Sequence, residues 1–540
     1  MKRLILLSFT LLTTMISWGE TTAPADFVVK LKDGTTLRFL GTSTEMSFNA
    51  EGTVLSITNP NYYFSASYAI EGIESIDFVE PGEPAGGGSL DEPYVDVTTD
   101  PADDTSYSEV KEQVITDDTH DDYGDFIENY TPKNTVVITY EGDKASYSGN
   151  PSGVRVVANG AHVTVTSTKK DIAYTLKGTT TNGSFKLYSD KKTQITLDNV
   201  NITNPKGAAI NIQSGKTMLI ALADNSKNTL EDGATYTTAT GEDQKGTFFS
   251  EGQLVFSGAG TLDVKSNGGH GIVSDDYIRV RGGHITINSV RDGINTNDRF
   301  VMYGGEVAVT AQQDGLDIGK GYIELGGGKL TVNAVDEGIT ASYEGESNGS
   351  SDPAITPYID IKGGLIKVTT TGDKGHALRA MSTLTMTGGI VQATVEGAGS
   401  KALLSEGNMS LTGGKITAYT TGDALYEADL KELSSSAALR SKGKLTITNM
   451  TIGVMSTGKG GKAINNVGDI VMSNSTITAI ALGKRHEYNS LDARARGVTT
   501  DGNLSMTGGS LKVKAYDTPL QVEGTQTFSN NAIYAGYKLQ

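Results

Sequence analysis

Three short stretches set an acid, a glycine and an aliphatic residue in the same order: Asp292-Gly293-Ile294, Asp314-Gly315-Leu316 and Glu337-Gly338-Ile339. The first two begin 22 residues apart. Asn295 and Asp317 stand three positions beyond the first two acids, and Asp275, Asp276 and Asp298 supply further oxygens close by in the chain. If successive repeats stack, neighbouring acids lie ~4.8 Å apart. Two carboxylates at that separation repel by ~3.5 kcal/mol at an effective dielectric of about 20. A chain that repeats this cost at one place is expected to hold a cation there. Oxygen donors, the lack of cysteine and a single neighbouring histidine, His270, select calcium over zinc. In that reading each repeat lends an oxygen to a shared ion, the glycine permits the turn and the aliphatic residue plugs the core. The plainer alternative is that Asp-Gly is turn chemistry with solvated carboxylates. The repeat signature G-G-x-G-x-D-x-U-x is absent, which excludes a toxin-type calcium roll.

The elements that would stack these residues are short strands. Paired glycines open "GGHITINSVRDGI" at 282, "GGEVAVTAQQDGL" at 304, "GGKLTVNAVDEGI" at 327, "GGLIKVTTTGDKGHAL" at 363, "GGIVQATVEGAGSKAL" at 388, "GGKITAYTTGD" at 413 and "GGSLKV" at 508. Inside each unit apolar residues alternate with polar ones, as at Ile285 and Ile287, Val307 and Val309, Leu330 and Val332, which is strand periodicity. Three short strands and their turns fill ~22 residues, one rung of a parallel β-helix. A leucine-rich repeat would need its L-x-x-L-x-L framework, and a propeller blade roughly twice the length. A stack of this kind leaves strand edges open at both ends. The irregular stretch from 106 to about 135 and the final "TQTFSNNAIYAGYKLQ" are the expected covers.

The predicted fold is therefore all-β, a parallel β-helix over 106–540 preceded by a small antiparallel β-domain at 26–80. In that small domain, runs such as Val54-Leu55-Ser56-Ile57 are broken by Asp33-Gly34 and Glu51-Gly52 turns. Residues 81–105, with "PGEPAGGGSLDEP", read as an acidic flexible linker. Residues 1–19 read as a signal peptide: Lys2 and Arg3 precede an apolar run too short to span a bilayer, and Ser17 and Gly19 suit cleavage. The protein is expected to be secreted or associated with the cell surface, with no transmembrane segment. Zero cysteine excludes a disulfide framework and a lipidated cysteine. A net charge of -18 argues against nucleic acid as a partner. A monomer is expected.

Three rungs carry insertions, near 342–357, 424–436 and 483–496. Insertions gathered on one side of a repeat stack commonly mark its binding face. Tyr343, Tyr358, Tyr426 and Tyr488 lie in or beside them and offer flat rings to a sugar. Arg485, Arg494 and Arg496, with Lys484, form a basic patch suited to a polyuronate.

The run from "YSDKKTQITLDNVNITNPKGAAINI" through "NTLEDGATY", "KGTFFSEGQLVFSGAGTLDV", "HGIVSDDYIRVRGGHITI" and "DGINTNDRF" resembles a bacterial secreted carbohydrate-binding family related in fold to pectate lyases. The resemblance covers about residues 106 to 345. It implies a right-handed parallel β-helix with bound calcium and binding of polygalacturonate, cellulose or another glycan. The family's ligand positions fall on Asp275, Asp276, Asp292, Asn295, Asp314 and Asp317, while "DEG" leaves Asp336 and Glu337 as alternatives for the next one.

The expected function is thus polysaccharide binding on a calcium-stabilised β-helix, with no catalytic residue assigned. A calcium-dependent pectate-type lyase is the enzymatic alternative, needing a Lys or Arg base such as Lys320, Arg279 or Arg299, each equally a charge partner for the acids. A structural adhesin or spacer is the third reading.

Overall fold

The computed structural model describes residues 26–39, 45–59, 64–79, 106–343 and 352–538. The leader expected at 1–19, the linker at 81–105 and part of the first insertion lie outside the described residues. The described chain is all-β apart from three short 3-10 turns, and most strands belong to two long sheets of 31 and 15 strands. No described helix is long and apolar enough to cross a membrane.

From about residue 193 each rung gives one strand to each of three parallel ladders. One rung runs through His284–Ser289, Ile294–Thr296 and Arg299–Met302, and the next repeats it in register at Glu306–Ala311, Leu316–Ile318 and Tyr322–Leu325. The result is a β-helix-like stack. The alternation seen in the sequence sets which side chains turn inward: Ile285, Val307, Leu330 and Ile366 pair in register and are buried, as are Ile294, Leu316, Ile339 and Leu378. Each buried aliphatic contributes about 1.5–3 kcal/mol of burial free energy, repeated on every rung.

The ends are covered differently from the sequence expectation. At the first rungs, Lys144–Ser148 pairs antiparallel with Asn134–Glu141, and Val154–Asn159 with Ala161–Ser167. At the last rung, the final segment supplies the strands Gln526–Ser529 and Ile533–Lys538. Its open edge is met by Thr36–Phe39 of the N-terminal unit, which pairs in parallel with Ile533–Lys538. Asp33 fixes the junction by accepting from the Asn530 backbone N–H at 2.8 Å.

The stretch after 106 does not close an end but runs lengthwise along the stack, because its acids meet arginines on the side. Ser108 accepts from the Gly364 N–H, Val110 donates to the Gly326 carbonyl, and Glu112 binds Arg279 and Arg281, each at 2.6 Å. Asp122 and Asp125 also hold Arg279, Asp122 holds Arg299 at 2.6 Å, and Glu128 holds Arg281 at 2.8 Å. The paired glycines make room for this strap: a Cβ on Gly363 would lie 2.6 Å from the Ser108 carbonyl oxygen, while Gly364 has φ of 87°, a left-handed conformation that glycine adopts readily.

Candidate functional site

The three-residue strands Ile294–Thr296, Leu316–Ile318 and Ile339–Ala341 set the acid repeats side by side. Inward Ile294 and Leu316 are buried, so the residues next to them, Asn295 and Asp317, face outward and pair directly in register. Asp292, Asp314 and Glu337 each stand two residues before one of these strands. Each carboxylate accepts the backbone N–H of the next rung: Asp292 from Asp314 at 3.2 Å, Asp314 from Glu337 at 2.8 Å, Glu337 from His376 at 2.7 Å. His376 continues the series, its Nδ1 accepting from the Lys401 N–H at 3.1 Å. The recurring acid therefore has a structural task, to satisfy a buried amide at a turn.

That task crowds negative charge. Burial, joined by the charges of Asp292, Asp317 and Glu337, pushes Asp314 up to about 8. Burial likewise pushes Glu337 up to about 7, although Arg379 lies 3.3 Å away. Burial also works against Asp292, but His270 Nδ1 at 3.0 Å, the Asn295 amide and the Asp314 N–H hold it below the usual carboxylate value. The Asn295 amide nitrogen donates to Asp292 at 2.9 Å and to Asp317 at 3.2 Å, bridging the two acids. Oxygen donors converge here, and turning the Asn295 amide over would present a carbonyl in place of the N–H₂.

Asp275 and Asp276 belong elsewhere. They follow the strand His270–Ser274, at the end opposite the Asp292 column, where Asp276 aligns with Asp298 of the next rung. Asp275 is paired with Lys245 at 2.5 Å. Burial and the neighbouring Asp298 push Asp276 up to about 6, and the Gln253 amide donates to it. The sequence placed all these acids in one cluster; the intervening strand separates them into two. Among the described residues no compact group of three or more His, Asp or Glu side chains is arranged to hold a metal.

The aromatic and basic candidates also divide. Tyr343 accepts from the Asp352 N–H at 3.0 Å. Tyr358 stacks on Tyr322 at 4.7 Å with an interplanar angle of 4°, and Tyr322 receives a hydrogen bond from Arg299, which lies 4.2 Å over the Tyr277 ring. These flat groups sit on successive rungs of one ladder, and Tyr322 was missed because its regular strand position drew no notice. Tyr426 and Tyr488 come together at 4.6 Å from two separate inserted hairpins. Arg485 is paired with Glu487 and Asp492, each at 3.1 Å, and Arg494 with Asp492 at 2.9 Å, so neighbouring acids meet these two arginines of the expected basic patch. Arg496 instead joins the column of Lys462.

A family model described as carbohydrate-binding domain-containing protein matches residues 159–484. Over 156 residues the chain is 31% identical to a carbohydrate-binding domain-containing protein of Acetivibrio thermocellus, an alignment covering 28% of this chain and 52% of that protein. The match thus spans about half of the relative's length. A solved structure titled as the polysaccharide lyase-like protein from C. thermocellum, a gadolinium derivative, aligns with 25% identity and a TM-score of 0.40, over 52% of this chain and 99% of that one.

Proposed function

Because the chain belongs to the family of carbohydrate-binding domain-containing proteins, we propose that it is an exported polysaccharide-binding protein that presents its ligand with a regularly spaced face of a right-handed parallel β-helix. The observation that supports this reading is the repetition of polar and charged side chains on one register position of the ladder, with Asn295, Asp317 and Arg379 partly exposed and Thr340 buried between them. A linear glycan is itself a repeat of polar groups along one axis, so each rung can meet an equivalent part of the ligand. Export is supported by the basic and apolar N-terminal run.

Calcium is part of the proposal. Asp292, Asn295, Asp314 and Asp317 would hold it, with Glu337 at the edge of the group, and the pair Asp276 and Asp298 offers a second place. The fit rests on the oxygen-only donor set and on Asp314 and Glu337, whose ionisation burial and neighbouring charge oppose. A bound divalent ion supplies the missing positive charge and can bridge to a carboxylate on the glycan. Equilibrium dialysis should find bound calcium, lost in Asp314→Asn, and polysaccharide retention should be compared with and without chelator. No bound metal would remove calcium from the reading. No retention of any glycan would remove the function.

The lyase alternative gains less support. Of the candidate bases, Arg279 is buried among Glu112, Asp122 and Asp125, and Arg299 is engaged by Asp122 and Tyr322. Rising absorbance of an unsaturated product from polygalacturonate would favour it.

A further inference from the structure

Beyond the acidic rungs the same outward face changes sign. The position of Asp292, Asp314 and Glu337 passes through His376 to Lys401, Ala437, Lys462 and Arg496. The position of Asn295 and Asp317 passes through Thr340 to Arg379, Leu404, Arg440 and Asn465. The two columns take turns from Arg379 to Lys462 and Arg496 then follows Lys462 in the same column, so Arg379, Lys401, Arg440, Lys462 and Arg496 put one cation on each successive rung. At ~4.8 Å per rung the zigzag is about 19 Å long.

Its centre lacks counter-charge. Lys401, only 7% exposed, gives its ammonium to the Gly399 carbonyl at 2.6 Å and the Ser434 hydroxyl at 2.8 Å. Lys462 reaches Asn465 Oδ1 at 3.4 Å. Neither pairs with a carboxylate, and the Arg440 guanidinium has no partner among the described residues. The acids that face the lysines, Glu427 and Asp501, stand off, and Glu427 is engaged by Lys374 at 3.3 Å. Burial and the neighbouring Arg440 push Lys401 down to about 8, and burial and Arg496 do the same to Lys462. Like charges on adjacent rungs, Lys401 buried and Arg440 and Lys462 partly so, are a standing cost that an anion would reduce.

Two hairpins border this track. Leu425–Glu427 with Glu432–Ser434 is inserted just before Ala437, and His486–Tyr488 with Leu491–Ala493 just before Arg496. The bond from Lys401 to Ser434 sets the first hairpin beside the cations. From the hairpins Tyr426 and Tyr488 present a tilted ring pair, with Tyr488 44% exposed. Flat rings beside hydrogen-bonding cations suit a sugar that bears an anionic group.

We propose that this zigzag is a second binding track, for a linear glycan carrying carboxylate or sulfate groups, held by direct charge-assisted hydrogen bonds and without a bridging cation. The track rests on the carbohydrate reading above and adds to it a place and a charge. A nucleic acid is disfavoured by the net charge of -18 that surrounds this local patch.

The test uses the full chain and an Arg440→Gln/Lys462→Gln double variant, titrated in excess chelator with polygalacturonate, dextran sulfate and neutral cello-oligosaccharides. Both anionic glycans should bind the wild type in chelator and bind the variant at least tenfold more weakly, with neutral binding unchanged; the tighter of the two identifies the anionic group. Removing mutually repelling cations should leave the variant's thermal midpoint equal or higher, so that weaker binding cannot be ascribed to unfolding. Anionic binding that the variant does not alter, or that needs calcium, overturns the track and leaves the carbohydrate reading intact. Retention of no glycan under any condition overturns both. An oligonucleotide that binds as tightly, with the same sensitivity to the variant, overturns the choice of glycan.

Discussion

A Cβ on Gly315 would lie 2.1 Å from Cγ1 of Val332 and 2.4 Å from the Gly338 carbonyl oxygen. Gly293 meets Val309, Gly338 meets Val368 and Gly497 meets Val513 in the same manner, at 2.1, 2.3 and 2.0 Å. These glycines have ordinary negative φ, so close packing and not turn conformation requires them. The chain tests the idea on itself. Where the turn residue is Ala377, Ala402 or Ala463, the register-equivalent core residue is Ala393, Ala418 or Ala479; Ala438 with Val454 departs from the pattern. Gly315→Ala should cost about 1–3 kcal/mol in denaturant unfolding. Combined with Val332→Ala, the loss should fall short of the sum of the two single losses by on the order of 1 kcal/mol, and strict additivity would count against the pairing. A second residue-scale prediction concerns Lys462. Its folded value of about 8 lies below the ordinary 10.5. Between those values the unfolded chain binds more protons than the folded one, so stability rises with pH across that window. Lys462→Met should be the more stable protein at pH 7, by on the order of 2 kcal/mol, and its advantage should shrink as pH climbs toward 10.5. An advantage that is constant with pH would mean the buried ammonium is not strained.

At the scale of elements, the strap is held by Arg279, Arg281 and Arg299. Asp125 is 1% exposed, and burial raises its carboxyl above the usual value even beside Arg279. Arg279→Met should leave that acid unpaired, at a cost of about 3–5 kcal/mol. Hydrogen exchange should quicken at the Val110 amide, bonded to Gly326, before it quickens in the ladders; uniform quickening would mean that strap and stack open together. The ladders were legible from the sequence because a period of two and a repeat near 22 are local signals. The strap was not, since Glu112 and Arg279 are 167 residues apart and meet only after the chain reverses direction. The acid column was legible for the same local reason, yet spacing alone did not show that the length of one strand sets Asp275 and Asp276 apart from it. The cation zigzag left a trace in the repeated Leu378-Arg379 and Leu439-Arg440. Its alternation between columns needs the register across two inserted hairpins, which spacing alone does not give.

At the scale of the molecule, the N-terminal unit meets the last rung and not the first. Thr36, Leu37 and Arg38 pair with Ile533, Tyr534 and Ala535, so the strand edge most exposed to another copy is occupied by the chain itself. Removing residues 26–79 should therefore produce concentration-dependent self-association in size-exclusion chromatography with light scattering; a truncated protein that stays monomeric with an unchanged thermal midpoint would mean the edge is protected otherwise. This docking also imposes an order in time. During synthesis the partner of Thr36–Phe39 emerges more than 490 residues later, so that strand has nothing to clasp until then. A polypeptide interrupted within the stack lacks this fastening and shows a raw strand edge, so protection of that edge waits on the arrival of Ile533–Lys538.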